Sequence, residues 1–243
     1  MTFRSLLGSV LSIGIAQAAV AETHVTTKCK QFNHPEFQIQ VSSKAVPAAD
    51  IAWFLAGLEK RVAEGERFKG GETMQVGWVL IMLQAAPGGV LRIMEPDMKS
   101  VPVKFVDSLD NTLKQLRSQR DTVESFTPSI PLSFPSLRQS VVVHRDYKTT
   151  RRVLLSRYEP EELDSGWWLS DLNDESGARD PTHFTKISLY QLAVDRPDLV
   201  KFFAVPPGLQ VIVDHGRIGV LKEGKELRQV PGSFVSELNR VRQ

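Results

Sequence analysis

The residues of this sequence with chemistry to offer are few. They are five histidines (24, 34, 144, 183 and 215), a single cysteine, Cys29, and carboxylates gathered at Asp164, Asp171, Asp174 and Glu175. Nucleophilic catalysis needs a Ser, Cys or Thr activated by a base, and no G-x-S-x-G elbow is present. No two histidines stand four apart, so the helical zinc pattern of metalloproteases is missing. His144 follows a β-branched run and reads as a strand-end residue, while His215 falls in a hairpin turn and reads as solvated. The carboxylates could serve as an acid–base pair, whose separation only the fold can set, or as calcium ligands. A calcium loop counted from Asp171 would need glycine at its sixth position, where Ser176 stands. The commoner reading is a solvated acidic loop. With no Walker loop and no G-x-G-x-x-G, a nucleotide cofactor has no support. The expectation is therefore no catalytic residue, no metal and no cofactor.

Trp167 and Trp168 precede that acidic run, and the chain has only four tryptophans. In a strand, adjacent residues point to opposite faces, so one ring can enter the core while the other faces outward. An exposed Trp anchors protein interfaces because it desolvates a large area with few rotamers to freeze. Flanking carboxylates would favour a basic partner. The expected partner surface is Trp167, Trp168, Asp171, Asp174 and Glu175, with one of the two rings assigned to the core.

The elements that must hold these residues follow from periodicity. Phe37–Val41 alternates as a strand. Pro47 opens a helix whose Ile51, Phe54, Leu55, Leu58 and Val62 share a face, with Gly65 as its stop. Met74–Leu83 and Val90–Met94 flank Pro87-Gly88-Gly89 and predict a hairpin. Val101–Val106 reads as a further strand, and Asp107 or Ser108 as the cap of a helix burying Leu109, Leu113, Leu116 and Val123. Pro128, Pro131 and Pro135 exclude helix and central strand, so residues 127–139 read as a connection between residues 22–126 and residues 140–243. Beyond it come a strand over Ser140–His144, another over Val153–Leu155, and a short helix capped by Ser188. Pro197 opens the next helix, Asp214-His215-Gly216 turns a hairpin, and Phe234, Leu238 and Val241 mark a closing helix. Strands and helices without a strict βαβ rhythm make the class α+β, with mixed or antiparallel sheets and flanking helices.

The first residues read differently. Arg4 is the only charge before Glu22, Leu6–Ala16 is apolar, and Ala19-Val20-Ala21 offers a signal-peptidase site, so residues 1–21 read as a signal peptide cut after Ala21. The apolar stretch is shorter than the ~20 residues of a membrane span, and no stable span is expected once it is removed. Loss of Arg4 reduces the formal charge from +2 to +1. That near-balance excludes nucleic acid as the main partner, which would require a concentrated basic face. Cys29 reads as a lone thiol near the mature N-terminus, open to pairing only between chains.

Residues 155–221 resemble the Imm33-like immunity-protein family. The resemblance rests on Asp164-Ser165-Gly166-Trp167, Asp174-Glu175, Asp180-Pro181, the spacing Tyr190, Leu192, Pro197, Asp198, and the Pro206-Pro207-Gly208 turn. It implies a non-catalytic protein that neutralises a bacterial toxin by binding it. With a signal peptide, the implied partner is a secreted antibacterial effector of type VI kind met in the periplasm. The chain departs from the family pattern at its export signal and at Trp168. The alternative from the residues alone is an exported hydrolase using Asp171 or Glu175 with His144 or His183. Those groups would then have to share one pocket.

Overall fold

The computed structural model describes residues 21–42, 44, 46–174 and 180–241. The expected signal peptide lies outside these residues, apart from Ala21. Among the described residues no helix is long and apolar enough to cross a membrane.

The fold is α+β. Strands β1 (Glu22–Val25), β2 (Phe37–Val41), β3 (Thr73–Val76), β4 (Val79–Ala86) and β5 (Val90–Pro96) form the first sheet in the order β1-β2-β5-β4-β3, with β6 (Phe105–Val106) on β5. The sheet is mixed, because β2 runs parallel to β5. Helix α1 (Ala48–Ala63) turns Ile51, Phe54, Leu58 and Val62 inward, as its 3.6-residue period requires. It stops where Gly65 takes φ +101° and Glu66 donates its N–H back to Arg61.

The run Met74–Leu83, expected as one strand, is broken by a two-residue turn at Gly77–Trp78. Gly77 has φ +57°, which favours glycine, and a Cβ there would lie 2.4 Å from Leu116 Cδ2 and push that side chain aside. The turn sends Trp78 into the core, where its Nε1–H donates to Gln115 Oε1 at 3.0 Å. Of the expected strand Val101–Val106, only Phe105–Val106 pairs.

Helix α2 (Asp110–Glu124) is capped from a distance. Glu95, fully buried on β5, accepts from the Ser108 hydroxyl (2.8 Å) and from the N–H groups of Asn111 (3.2 Å) and Thr112 (2.7 Å). A carboxylate at that terminus satisfies orphan donors and complements the helix dipole. Ser108, the expected cap, does accept the Asp110 N–H at 3.1 Å. Beyond α2 lie β7 (Phe126–Thr127) and the proline-rich segment, which is pinned across both halves. Leu137 donates its N–H to Trp78 O and Ser133 to Ala204 O.

The second sheet contains β8 (Ser140–His144), β9 (Arg152–Arg157), β10 (Asp164–Asp171), β11 (Phe184–Ser188), β12 (Leu209–Asp214), β13 (Arg217–Lys222) and β14 (Lys225–Glu226), in the order β11-β8-β10-β9-β12-β13-β14. Only β10 and β8 pair in parallel. Helix α3 (Leu189–Asp195) is capped by Ser188, whose hydroxyl accepts from Gln191 N–H, and a 3-10 helix, Pro197–Phe202, follows it. Strand β15 (Arg228–Gln229) pairs with β7, and α4 (Phe234–Val241) closes the chain. The two halves share one continuous core. At their junction Gln119 of α2 donates to Val200 O, and Tyr190 donates to the carbonyls of Asp97 and Ser100.

Candidate functional site

One edge of the second sheet collects the chemistry. Parallel strands β8 and β10 both end there, and antiparallel β11 begins there. Register then decides which side chains meet. Phe184 pairs with His144, so His183 comes immediately beyond the last residue of β8. The chain leaving β10 after Asp171 passes through Leu172 and Asn173 and brings Asp174 over the same edge.

There one carboxylate oxygen holds two imidazoles. Asp174 Oδ2 lies 3.0 Å from His144 Nε2 and 2.6 Å from His183 Nδ1. The Asp146 N–H points at His144 Nδ1 from 3.2 Å. A ring nitrogen that accepts cannot carry a proton, so neutral His144 is protonated on Nε2 and donates to Asp174. His144 is buried, and its ring meets Phe184 edge-on at 5.6 Å. His183 is more exposed. Its hydrogen bond to Asp174, opposed by partial burial and helped by the charges of Asp174 and Asp180, raises its pKa above the ordinary histidine value. An open cleft of about 510 Å³ fronts the group, lined by these three residues with Arg145, Asp146, Asp171 and Asn173.

Of the expected partner residues, Trp167 is corrected to the core. It is 1% exposed, with the buried Arg157 guanidinium 5.0 Å from its ring centroid. Burial pushes the Arg157 pKa down to about 10. Trp168 points to the opposite face, half-buried, and stacks on Phe184 with centroids 4.8 Å apart. Asp171 accepts from the Thr150 hydroxyl at 2.8 Å and from Asn173 N–H at 2.9 Å. Asp174 sits in the histidine pair, and Glu175 lies outside the described residues. Trp168, Asp171 and Asp174 thus border one edge, together with His144 and His183, which only the hydrolase alternative brings in. Cys29, expected as a lone thiol near the mature N-terminus that could pair between chains, is fully buried, and that burial pushes its pKa up to about 11.

The run Asp164-Ser165-Gly166-Trp167 builds the fold beneath this edge. Asp164 accepts the Gly166 N–H at 2.8 Å and pairs with Lys186 at 2.7 Å. Ser165 donates to Ser140 O at 2.7 Å and accepts from Trp167 N–H. Gly166 has φ +74°, and a Cβ on it would stand 2.2 Å from the Tyr158 carbonyl oxygen. Together they make an irregularity in the β8–β10 register that sends Trp167 inward.

The arrangement offers a shared proton, an ion-pair clasp between strands, or three metal-ligating atoms within 4.8 Å of one another. Among the described residues no hydroxyl or thiol is hydrogen-bonded to either histidine ring.

Residues 118–223 match the family model of the Imm33-like domain. The match contains the whole of residues 155–221 and reaches back into α2, so the chain carries an Imm33-like domain. No curated protein and no solved structure matches the chain.

Proposed function

We propose that this protein is a periplasmic immunity protein that binds and neutralises a secreted antibacterial toxin, without catalysis, by covering the toxin's working surface. The Imm33-like domain is the observation that carries this reading. The leader-like residues 1–21 support the periplasm, and a type VI effector is the partner in keeping with it. The contact surface in this reading is the edge bearing Trp168, Asp171 and Asp174, together with Glu175, which follows Asp174 in the sequence. Trp168 would supply the aromatic anchor and the carboxylates a rim suited to a basic partner.

The test is a competition between a deletion strain and its parent, with secretion active. The deletion strain should be killed by its sister cells, and equal survival would sink the proposal. In pull-downs with a candidate toxin, Trp168→Ala should weaken binding by roughly 2 kcal/mol or more.

One observation favours the alternative of an exported hydrolase. His144, His183 and Asp174 share a single open cleft that Asp171 also lines. The two readings separate at His183→Ala. A protein that blocks by occlusion still protects wherever that variant still binds. Lost protection with wild-type binding would mean chemistry.

A further inference from the structure

We propose that His144, Asp174 and His183 form a binding site for one divalent transition-metal ion of the zinc type. The site does not depend on the toxin reading, since the metal can be tested on the isolated protein.

Two imidazoles and one carboxylate suit zinc and its neighbours rather than magnesium or calcium, which prefer all-oxygen cages. The three atoms His144 Nε2, His183 Nδ1 and Asp174 Oδ2 already converge, with both nitrogens within 3.0 Å of the same oxygen. Bonds of about 2.0–2.2 Å to zinc require the carboxylate to swing aside by a rotation of its own side chain, opening the centre it now fills. Three protein ligands leave a fourth position open, as in catalytic zinc sites, and here it faces the cleft of about 510 Å³. Arg145, Asp171 and Asn173 line that approach.

A second feature sets this trio apart from an ordinary hydrogen-bonded cluster. Metal-binding histidines donate their other ring N–H to a carboxylate, and each of these rings has one in reach. Asp146 Oδ2 is 3.9 Å from His144 Nδ1, and Asp180 Oδ2 is 3.9 Å from His183 Nε2. With both rings neutral, binding then only relocates protons, and a protonated His183 releases one to solvent. His144 moves its proton from Nε2 to Nδ1, and His183 from Nδ1 to Nε2, each leaving a lone pair for the metal and an N–H for the outer carboxylate. The Asp146 N–H, now aimed at His144 Nδ1, must turn away as its carboxylate takes over. Asp146 lies in the turn after β8, with its side chain largely in solvent. The other histidines differ. His215 pairs with its neighbour Asp214, and both ring nitrogens of His34 are taken up by Pro35 O and the Phe68 N–H.

The experiment is calorimetric titration of the purified full chain with zinc chloride at neutral pH, with cobalt(II) as a visible reporter of coordination. One saturable site per chain is expected. His183→Ala and Asp174→Asn should each weaken it by more than about 100-fold, and Asp146→Asn or Asp180→Asn by about 10-fold. His215→Ala should leave it unchanged. His144 is buried and its replacement could unfold the edge, so the decisive variants are those of the more exposed His183 and of Asp174, with circular dichroism confirming that each is folded. Absence of saturable binding, or wild-type affinity in folded His183→Ala, overturns the proposal. Unchanged affinity in both outer-aspartate variants overturns their role as partners of the rings.

Discussion

Replacing Gly166 with alanine should destabilise the protein by about 3–4 kcal/mol, a large share of the roughly 5–15 kcal/mol that holds a typical domain together. Three costs add. A side chain at φ +74° costs about 1–2 kcal/mol of backbone strain. The new Cβ would stand 2.2 Å from Tyr158 O and 2.9 Å from its carbonyl carbon, and backbone cannot yield as a flexible side chain would. Moving the two strands apart lengthens the Tyr158 N–H to Gly166 O bond, now 2.8 Å. It also strains the Gly166 N–H bond to Asp164, likewise 2.8 Å. Each of these is worth about 1 kcal/mol. The control is Gly224→Ala, where φ is +76° but nothing lies within 4 Å of the new Cβ; it should cost only the strain, about 1–2 kcal/mol. Urea denaturation followed by tryptophan fluorescence measures both. Equal costs for the two variants, within about 0.5 kcal/mol of one another, would refute the close-approach account.

Other consequences are as direct. Glu95→Gln should cost about 2 kcal/mol by removing the charged cap of α2, read as a lower denaturation midpoint. Trp167→Ala should cost about 3–5 kcal/mol as a core truncation, while half-buried Trp168→Ala should cost less, so the two melting curves should separate. Glu36 is buried, which alone would raise its pKa, but the Thr26 hydroxyl (2.5 Å) and the N–H groups of Lys30 and Cys29 hold it below the ordinary carboxylate value. Its folded pKa therefore lies below its unfolded one, so its stabilisation is complete above the unfolded value of 4.5 and is lost as pH falls through the folded value. Glu36→Gln should flatten the acid limb of the stability profile. Cys29 should resist a thiol reagent at mildly alkaline pH until denaturant is added, because it is fully buried with its pKa raised to about 11.

Periodicity made the class and most elements legible. Strand β2, helix α1, the β12–β13 hairpin and the Ser188 cap follow from patterns local to a few residues, and the structure has them where the pattern places them. Local pattern failed where the deciding contact was remote. Nothing near residue 110 in the sequence announces that Glu95 caps α2 from another strand. The Gly77–Trp78 turn hides inside an apolar run because Trp is as apolar as the strand around it, and only the positive φ at Gly77 shows why glycine is favoured there.

The histidine cluster shows the same limit more sharply. His144 and His183 are far apart in the chain, and no spacing rule joins them. They meet because β11, an unanticipated strand with exposed Thr185 and Lys186, pairs antiparallel to β8 in the register Phe184 to His144. Shift that register by one residue and every side chain of β11 changes face, taking the Phe184 ring away from Trp168 and His144. Parallel pairing of β8 with β10 is equally necessary, since an antiparallel β10 would carry Asp171 and Asp174 to the far end of the sheet. The Asp164-to-Trp167 run sets that pairing from below, through Ser165 on Ser140 O and Asp164 on Lys186 of β11. Its role is to bring three strand ends into coincidence, and the residues that can act on a partner or a metal stand at the other end of the strands it fixes.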